Sequence, residues 1–354
     1  MRGPRPLLKD HYTLLKKVGS GTYGEVFKAS AIGDPTKIVS VKQSKQTKNG
    51  NDDKLIPPAV LRELTLLSEI NFPHIIHTSI KDVFYDSDNH VLAFVYDYGA
   101  FDVRKLIRFY LSRKQIVSEM VTKSILFQLL LALDHIHQRG IIHCDITPPN
   151  LIIMPENSKI PGIVKLIDFG LARAIDNTNF PKNTGVVTVW YRAPELLLGD
   201  SHYDASIDLW SAGCIFAELL LGDVLFKAET QNEQNPTGFN KNQLAKILEI
   251  MGPINESSIA RPEWCAHLAD YNRMTKPKQK TSLQKLFQNV NPKAFDLLIK
   301  MLEYNPYHRI TAHDALRHEY FNEKPIPGMN ISRMILREDW VQLVSIGEGS
   351  STTI

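Results

Sequence analysis

Cysteine is scarce in this chain. The three present, Cys144, Cys214 and Cys265, are far apart, odd in number and match no metal spacing. They exclude a disulfide framework and read as reduced thiols in an intracellular protein. The twelve histidines form no HExxH-like cluster, which argues against a zinc site. Long apolar runs are missing too. The richest, Ile125–Leu133, is too short to span a bilayer and is followed by Asp134 and His135. Met1–Lys9 is basic and proline-containing but has no apolar core of a signal peptide, so no membrane role is expected. Neither sign of charge dominates: 41 Lys and Arg against 38 Asp and Glu leave +3. Bulk electrostatics therefore gives no reason to expect direct nucleic-acid binding. Internal repeats and long low-complexity tracts are absent as well.

What remains is an ordinary globular composition, 43% apolar and 22% charged. With 354 residues, the chain exceeds the roughly 250–300 at which one core stops growing, so two packed lobes are expected. At its centre stands His143-Cys144-Asp145-Ile146-Thr147-Pro148-Pro149-Asn150. A helical run, Val121–His137, and the apolar Ile141-Ile142 precede it. Leu151-Ile152-Ile153 and Val164-Lys165-Leu166-Ile167-Asp168-Phe169-Gly170 follow. A polar loop between apolar segments thus carries one carboxylate and, five residues on, one carboxamide, and a second carboxylate opens the next turn. Asp145 can orient a hydroxyl and accept its proton. Asn150 and Asp168 can hold metal ions on a polyphosphate.

Upstream, Tyr12–Val18 leads into Gly19-Ser20-Gly21-Thr22-Tyr23-Gly24-Glu25-Val26-Phe27, which reads as strand, glycine turn, strand. Glycines let a backbone approach phosphate oxygens and present its N–H groups to them. GxGxxG alone is a weak signal, and a dinucleotide site would want a helix straight after it. Val26-Phe27 and the polar turn at Gly33-Asp34-Pro35 favour a strand instead. Ile38-Val39-Ser40-Val41-Lys42 is a β-branched strand ending in a lysine. By itself Lys42 is equally an edge-strand residue kept for solubility. Its weight comes from Glu63, which lies mid-helix in a segment with apolar residues at 60, 61, 64 and 67 and prolines in its first turn. Val91–Tyr98 reads as the next strand. Beyond it the pattern turns helical over Leu106–Leu111, Val121–His137 and Asp208–Leu221, with Gln231–Phe239 a loop.

Glycine loop, lysine strand, glutamate helix, HxDxxxxN, DFG and Ala193-Pro194-Glu195 occur here in one order over residues 12 to 325. In this the chain resembles the protein kinases, and Pro57-Pro58-Ala59-Val60-Leu61-Arg62-Glu63 and Val186–Glu195 resemble their cyclin-dependent branch. Within it, Tyr96–Tyr98, Leu106–Phe109, Asn235-Pro236 with Gln243-Leu244, and Met251-Gly252-Pro253 are most similar to the kinase of the Mediator kinase module, which pairs with a C-type cyclin. The resemblance implies an α+β, bilobal protein-kinase fold: a β-rich N-lobe over 12–98 and a mainly helical C-lobe over 99–325. Residues 1–11 would be an extension and 326–354 a peripheral tail. It implies ATP and Mg²⁺ as cofactors. Val18, Gly19, Ser20, Gly21, Thr22, Tyr23, Gly24, Glu25 and Val26 would cover the phosphates, and Lys42 would contact them, fixed by Glu63. Tyr96, Asp97 and Tyr98 would border the adenine, with Asp102 near the ribose. Asp145 would be the catalytic base, Asn150 and Asp168 the magnesium ligands, and Thr188 a support of the catalytic loop. A cyclin at the helix around Arg62 and Glu63, Mediator kinase-module subunits, protein substrates phosphorylated on proline-directed serine or threonine, and a nuclear location also follow from it.

Two positions depart from the family pattern. Cys144 stands where most of these kinases have an arginine that helps clamp an activation-loop phosphate. The usual phospho-acceptor position holds Asn183, with Thr184 adjacent, although Arg62 and Arg173 match the rest of the clamp. The activation segment is therefore not expected to be switched by a phosphothreonine in the usual manner, and Cys144 reads as a small buried filler. Thr147 replaces a lysine that steadies the γ-phosphate. Loss of one preorganised charge can lower turnover by roughly 10²–10³-fold. The expected function is a cyclin-activated serine/threonine kinase with an unusual catalytic loop. The alternatives are a weak or inactive kinase fold acting as a docking or allosteric subunit, and a member of the same branch that needs no cyclin.

Overall fold

The computed structural model describes residues 7–20, 24–45, 47–48, 54–56, 58–75, 80–175, 189–229, 239–276, 282–349 and 352–353. Of Arg62, inside a helix, only the backbone is described. Gly21, Thr22, Tyr23, Asn183, Thr184, Thr188 and Asn235-Pro236 fall outside the described residues.

In chain order the strands and helices begin with β1 Tyr12–Ser20, β2 Gly24–Ala31, β3 Asp34–Ser44, β4 Thr47–Lys48 and β5 Lys54–Leu55. Then come α1 Pro58–Glu69, β6 Asp82–Asp86, β7 Val91–Asp97, β8 Phe101–Asp102, α2 Val103–Ser112 and α3 Glu119–His137. Short strands follow: β9 Ile141–Ile142, β10 Leu151–Ile153, β11 Val164–Leu166 and β12 Arg173–Ala174. The rest is helical (α4 Pro194–Leu197, α5 Ser206–Leu221, α6 Lys241–Met251, α7 Leu268–Arg273, α8 Leu283–Leu286, α9 Pro292–Met301, α10 Ala312–Leu316 and α11 Arg337–Gly349), ending in β13 Thr352–Thr353.

Contacts divide the chain into a unit of Met1–Lys105, Pro149–Ala172 and Met329–Ile354, and a unit of Leu106–Pro148 and Arg173–Gly328. The fold class is α+β, with a β-rich N-terminal region and a helical region after it. The grouping differs from a cut at residue 98. β10 pairs with both β8 and β11, and Trp340 of α11 packs on Phe101, so these later segments belong with the first unit. The stretch from 326 onward, which sequence pattern leaves unassigned, holds a helix that buries Trp340 and Leu343.

The first unit is built on a sheet of order β13-β1-β2-β3-β7-β6. A strand, not a helix, follows the glycine turn, so the dinucleotide-binding alternative does not apply. Successive side chains of a strand point to opposite faces. Val39 and Val41 of β3 join Ala93 and Val95 of β7 in one core with Tyr12, Ala29 and Phe84. Leu92, Phe94 and Tyr96 face the other way and pack against Val60 of α1. Gly24 is required at the start of β2, because a Cβ there would lie 2.8 Å from the Gln43 carbonyl oxygen.

In the second unit α3 is buried along most of its length, from Val121 to Ile136. Its Lys123 ammonium donates to the Glu323 carbonyl at 2.9 Å and lies 4.3 Å from the Tyr320 ring centre. α5 closes with Gly222 in the left-handed region at φ 78°, where glycine carries no steric cost.

Candidate active site

In the first unit, Lys42 pairs across the ladder with Phe94, and directly paired residues share a face. Because Phe94 packs on Val60 of α1, the ladder carries Lys42 to the α1 side. Glu63 follows Val60 by three residues, on the same helical face, and is buried. Lys42 Nζ donates to both Glu63 carboxylate oxygens at 2.8 Å and to Asp168 Oδ1 at 3.0 Å. Burial works to lower the Lys42 ammonium, but the charges of Asp168 and Glu63 outweigh it and hold the group above the ordinary lysine value. Burial pushes the Glu63 carboxyl up, and Lys42 works against that.

Asp168 takes φ 64°, a left-handed conformation that aspartate tolerates better than most residues, and its side chain accepts from Gly170 N. Asn150 is almost fully buried, and its carbonyl accepts from Ile167 N at 3.0 Å. The backbone of Asn150 is thereby tied to the residue just before Asp168. A carboxylate and a carboxamide offer hard oxygen donors. That fits Mg²⁺, which is held by few protein groups together with substrate phosphates.

Lys42, Glu63 and Asp168 line a cleft of about 1020 Å³, its open mouth included; Asn150 is not among its lining residues. Of the residues expected to hold a nucleotide, Val18, Gly19, Val26, Lys42, Tyr96, Asp97, Tyr98 and Asp102 line it, with Glu63 and Asp168. Ser20, Gly24 and Glu25 are not among the lining residues; the Glu25 carboxylate meets Lys17 across the hairpin at 2.5 Å. Asp102 also caps α2, accepting from Lys105 N at 2.9 Å, and burial raises its carboxyl. The Tyr96 hydroxyl is buried with no hydrogen-bond partner among the described residues. Burial first, then the Glu63 charge, raises its pKa. Ala100, Phe101, Lys105 and Gly347 line the cleft too. Sequence reading missed all four, and for Gly347 no motif announces it.

In the second unit the backbone of the central loop is held by α5. Asp208 accepts from His143 N at 2.8 Å and from Cys144 N at 3.0 Å. His137 Nε2 lies 2.9 Å from the same carboxylate, and His143 Nδ1 accepts from Asp145 N at 3.3 Å. These contacts fix the backbone on which Asp145 stands. The apolar run Asp208–Leu221 signals a helix, but not that its aspartate binds this loop.

Cys144 itself sits at φ 66°. Burial, with the Asp208 carboxylate, pushes its thiol up, while Arg173 and a hydrogen bond with Tyr203 work the other way. The thiol is thus kept protonated, as a filler and not as a nucleophile. Thr147 is buried. Arg192 is a further cation of this unit that sequence reading passed over. Burial lowers its guanidinium, and the Asp145 carboxylate and Tyr203 counter that. Glu195 of α4 is held by Arg309 through two hydrogen bonds of 2.6 and 3.0 Å.

The protein kinase domain family matches residues 12–321 of the chain. Cyclin-dependent kinase E-1 of Arabidopsis thaliana is 38% identical over 336 residues, 92% of this chain and 69% of that protein. The probable cyclin-dependent kinase 8 of Dictyostelium discoideum is 36% identical over 324 residues, 90% of this chain and 83% of that one. The serine/threonine-protein kinase SSN3 of Yarrowia lipolytica is 34% identical over 341 residues, 91% of this chain and 80% of its own length.

Proposed function

The chain belongs to the protein kinase family, among the cyclin-dependent serine/threonine kinases, and from that premise we propose that it transfers the γ-phosphate of ATP to serine or threonine of protein substrates, using Lys42, Glu63, Asp145, Asn150 and Asp168. The observation that carries the site assignment is the Lys42 ammonium held at 2.8 Å by Glu63 and 3.0 Å by Asp168 in the wall of the cleft. A lysine whose proton is secured by two carboxylates is a fixed positive charge, suited to α- and β-phosphate oxygens.

In this reading Glu63 orients Lys42, and Tyr96, Asp97 and Tyr98 border the adenine. The backbone of Val18, Gly19 and Val26 lies over the phosphates. Asp145 accepts the proton of the substrate hydroxyl as its oxygen bonds to the γ-phosphorus and the bond to the bridging oxygen of ADP breaks. Asn150 and Asp168 would hold Mg²⁺, which neutralises charge on the phosphates when bound. Thr188 would steady the catalytic loop. Phosphoryl transfer has a loose transition state, so positioning and charge carry most of the catalysis.

The partner we assign is a cyclin, of C type, at α1 around Arg62 and Glu63, where Leu61 is exposed. What supports it is the similarity to relatives that are cyclin-dependent kinases and the resemblance of the Pro57–Glu63 segment to the cyclin-facing helix. Membership of the Mediator kinase module, proline-directed substrates and a nuclear location rest on resemblance alone. Thr147 favours a second reading, a docking or allosteric subunit with weak catalysis.

A radiolabelled phosphotransfer assay with cyclin, wild type beside Asp145→Asn, decides between them. The first reading expects label on substrate from wild type only, with a Mg-ATP thermal shift in both. Equal label from both variants, or no shift at millimolar Mg-ATP, overturns it. A shift without label in wild type selects the docking subunit.

A further inference from the structure

Trp340, Leu343 and Gly347 of α11 fall at i, i+3 and i+7, one stripe of a helix. Trp340 and Leu343 are buried, and the Trp340 ring meets Phe101 edge-on, centroids 5.1 Å apart at 64°. Gly347 reaches the cleft wall itself. A Cβ on it would fall 2.1 Å from the Ala100 carbonyl oxygen and 3.5 Å from Phe101 Cβ. The near contact is backbone, which cannot swing aside as a side chain does. Ala100 is pinned from the other direction, its N–H donating to the Ile153 carbonyl at 2.9 Å. Past the helix, Thr352 and Thr353 pair in parallel with Gly19 and Ser20 of β1. The same stretch of chain therefore touches both the Asp97–Asp102 segment and the glycine hairpin, two parts of one cleft.

We propose that α11 is a wall of the nucleotide site and that Gly347 and Trp340 are positioning residues, holding Ala100 and Phe101 where they border the bound nucleotide. This rests on the nucleotide reading of the cleft. Trp340 sets the depth at which the helix sits. The missing side chain at 347 lets its last turns lie directly on the strand. A methyl at 347 has to displace helix or strand by about 1 Å, and misplacement on that scale near a reacting site costs up to about 10²-fold. Because α11 lies on the nucleotide's segment and carries no group assigned to the chemistry, the loss falls on nucleotide affinity and not on turnover.

The test uses the full chain with its cyclin, following fluorescent ADP exchange by stopped flow and steady-state kinetics. Gly347→Ala is expected to raise KM for ATP about 5–10-fold, to speed ADP release, and to leave kcat and the protein-substrate KM within about twofold. Trp340→Ala should behave like Gly347→Ala, and Trp340→Phe, which keeps a ring against Phe101, should restore most of the parent's affinity. If Gly347→Ala fails to fold, the Trp340 pair decides alone. Parent-like ADP release and KM for ATP in folded Gly347→Ala and Trp340→Ala overturn the proposal while the nucleotide reading stands. A parent that binds no Mg-ATP overturns both.

Discussion

Lys42 Nζ stands 2.8 Å from each of the two Glu63 carboxylate oxygens, a contact that orients the ammonium as well as neutralising it. The two residues are 21 positions apart in sequence, and the pair exists because the β3–β7 ladder and α1 turn one face to each other. Glu63→Gln keeps the shape and one acceptor but removes the charge that fixes the lysine. Loss of one preorganised electrostatic contact costs about 10²–10³-fold in rate, so kcat/KM for ATP should fall by that order with the fold retained. Steady-state kinetics beside a thermal melt checks this. A folded Glu63→Gln variant with parental kcat/KM would remove Glu63 from the catalytic set.

Thr147 is buried and neutral at a position where related kinases place a positive charge. Thr147→Lys should raise turnover by about tenfold or more, since one preorganised charge at a reacting site is worth roughly 10²–10³-fold in rate. The measurement is kcat with cyclin at saturating Mg-ATP. An unchanged or lower rate would mean that the charge is already supplied from elsewhere, and Arg192, whose guanidinium feels the Asp145 carboxylate, is the group to examine next.

Much of this was legible in the residues. The β-branched run Ile38–Lys42, the apolar spacing of α1 and the polar loop between apolar strands are local patterns, and each became the element that its pattern implies. What stayed hidden depends on contacts far apart in sequence. Asp208 binds the backbone of His143 and Cys144 from 64 and 65 residues away, and no local signal distinguishes such an aspartate from a solvent-facing one. The last helix was hidden for another reason. Its pattern is short and interrupted by glycine, so the i, i+3 spacing of Trp340 and Leu343 is hard to tell from a polar tail until Phe101 is seen beneath it. Gly347 is the extreme case, since its importance lies in an atom that it lacks.

Lys165 of β11 is almost fully buried. Burial pushes its ammonium down to about 8, with Asp97 pulling the other way. The unfolded chain keeps a lysine protonated up to about 10.4, so between those values the unfolded state binds more protons. Stability contributed at this site therefore rises as pH climbs from about 8 toward about 10. Below pH 8 the cost of burying the charge is fully present. Lys165→Met should raise Tm at pH 7 by more than it does at pH 10. Melts across that range decide it; a drop in Tm at pH 7 would mean that the Asp97 interaction outweighs the burial.

Arg309 and Glu195 form an ion pair shielded from solvent, side chains 0% and 7% exposed. Arg309 also donates to the carbonyls of Glu303 at 2.8 Å and Ser206 at 3.0 Å, and its guanidinium lies 5.2 Å from the Trp210 ring centre. One side chain thus ties α4, the start of α5 and the segment after α9 together. Burying two charges costs several kcal/mol, which their attraction repays only while both are present. Glu195→Ala leaves the guanidinium without its carboxylate and should destabilise the protein by about 3–5 kcal/mol. Glu195→Leu combined with Arg309→Met removes both charges and should cost less than Glu195→Ala alone, although the carbonyls that Arg309 served then need other donors. Urea unfolding of Glu195→Leu, Arg309→Met and the double, read as a double-mutant cycle, isolates the coupling. If the double variant is as unstable as the sum of the singles, the contribution of Arg309 lies in its carbonyl contacts, and the ion pair is incidental to the stability of this unit.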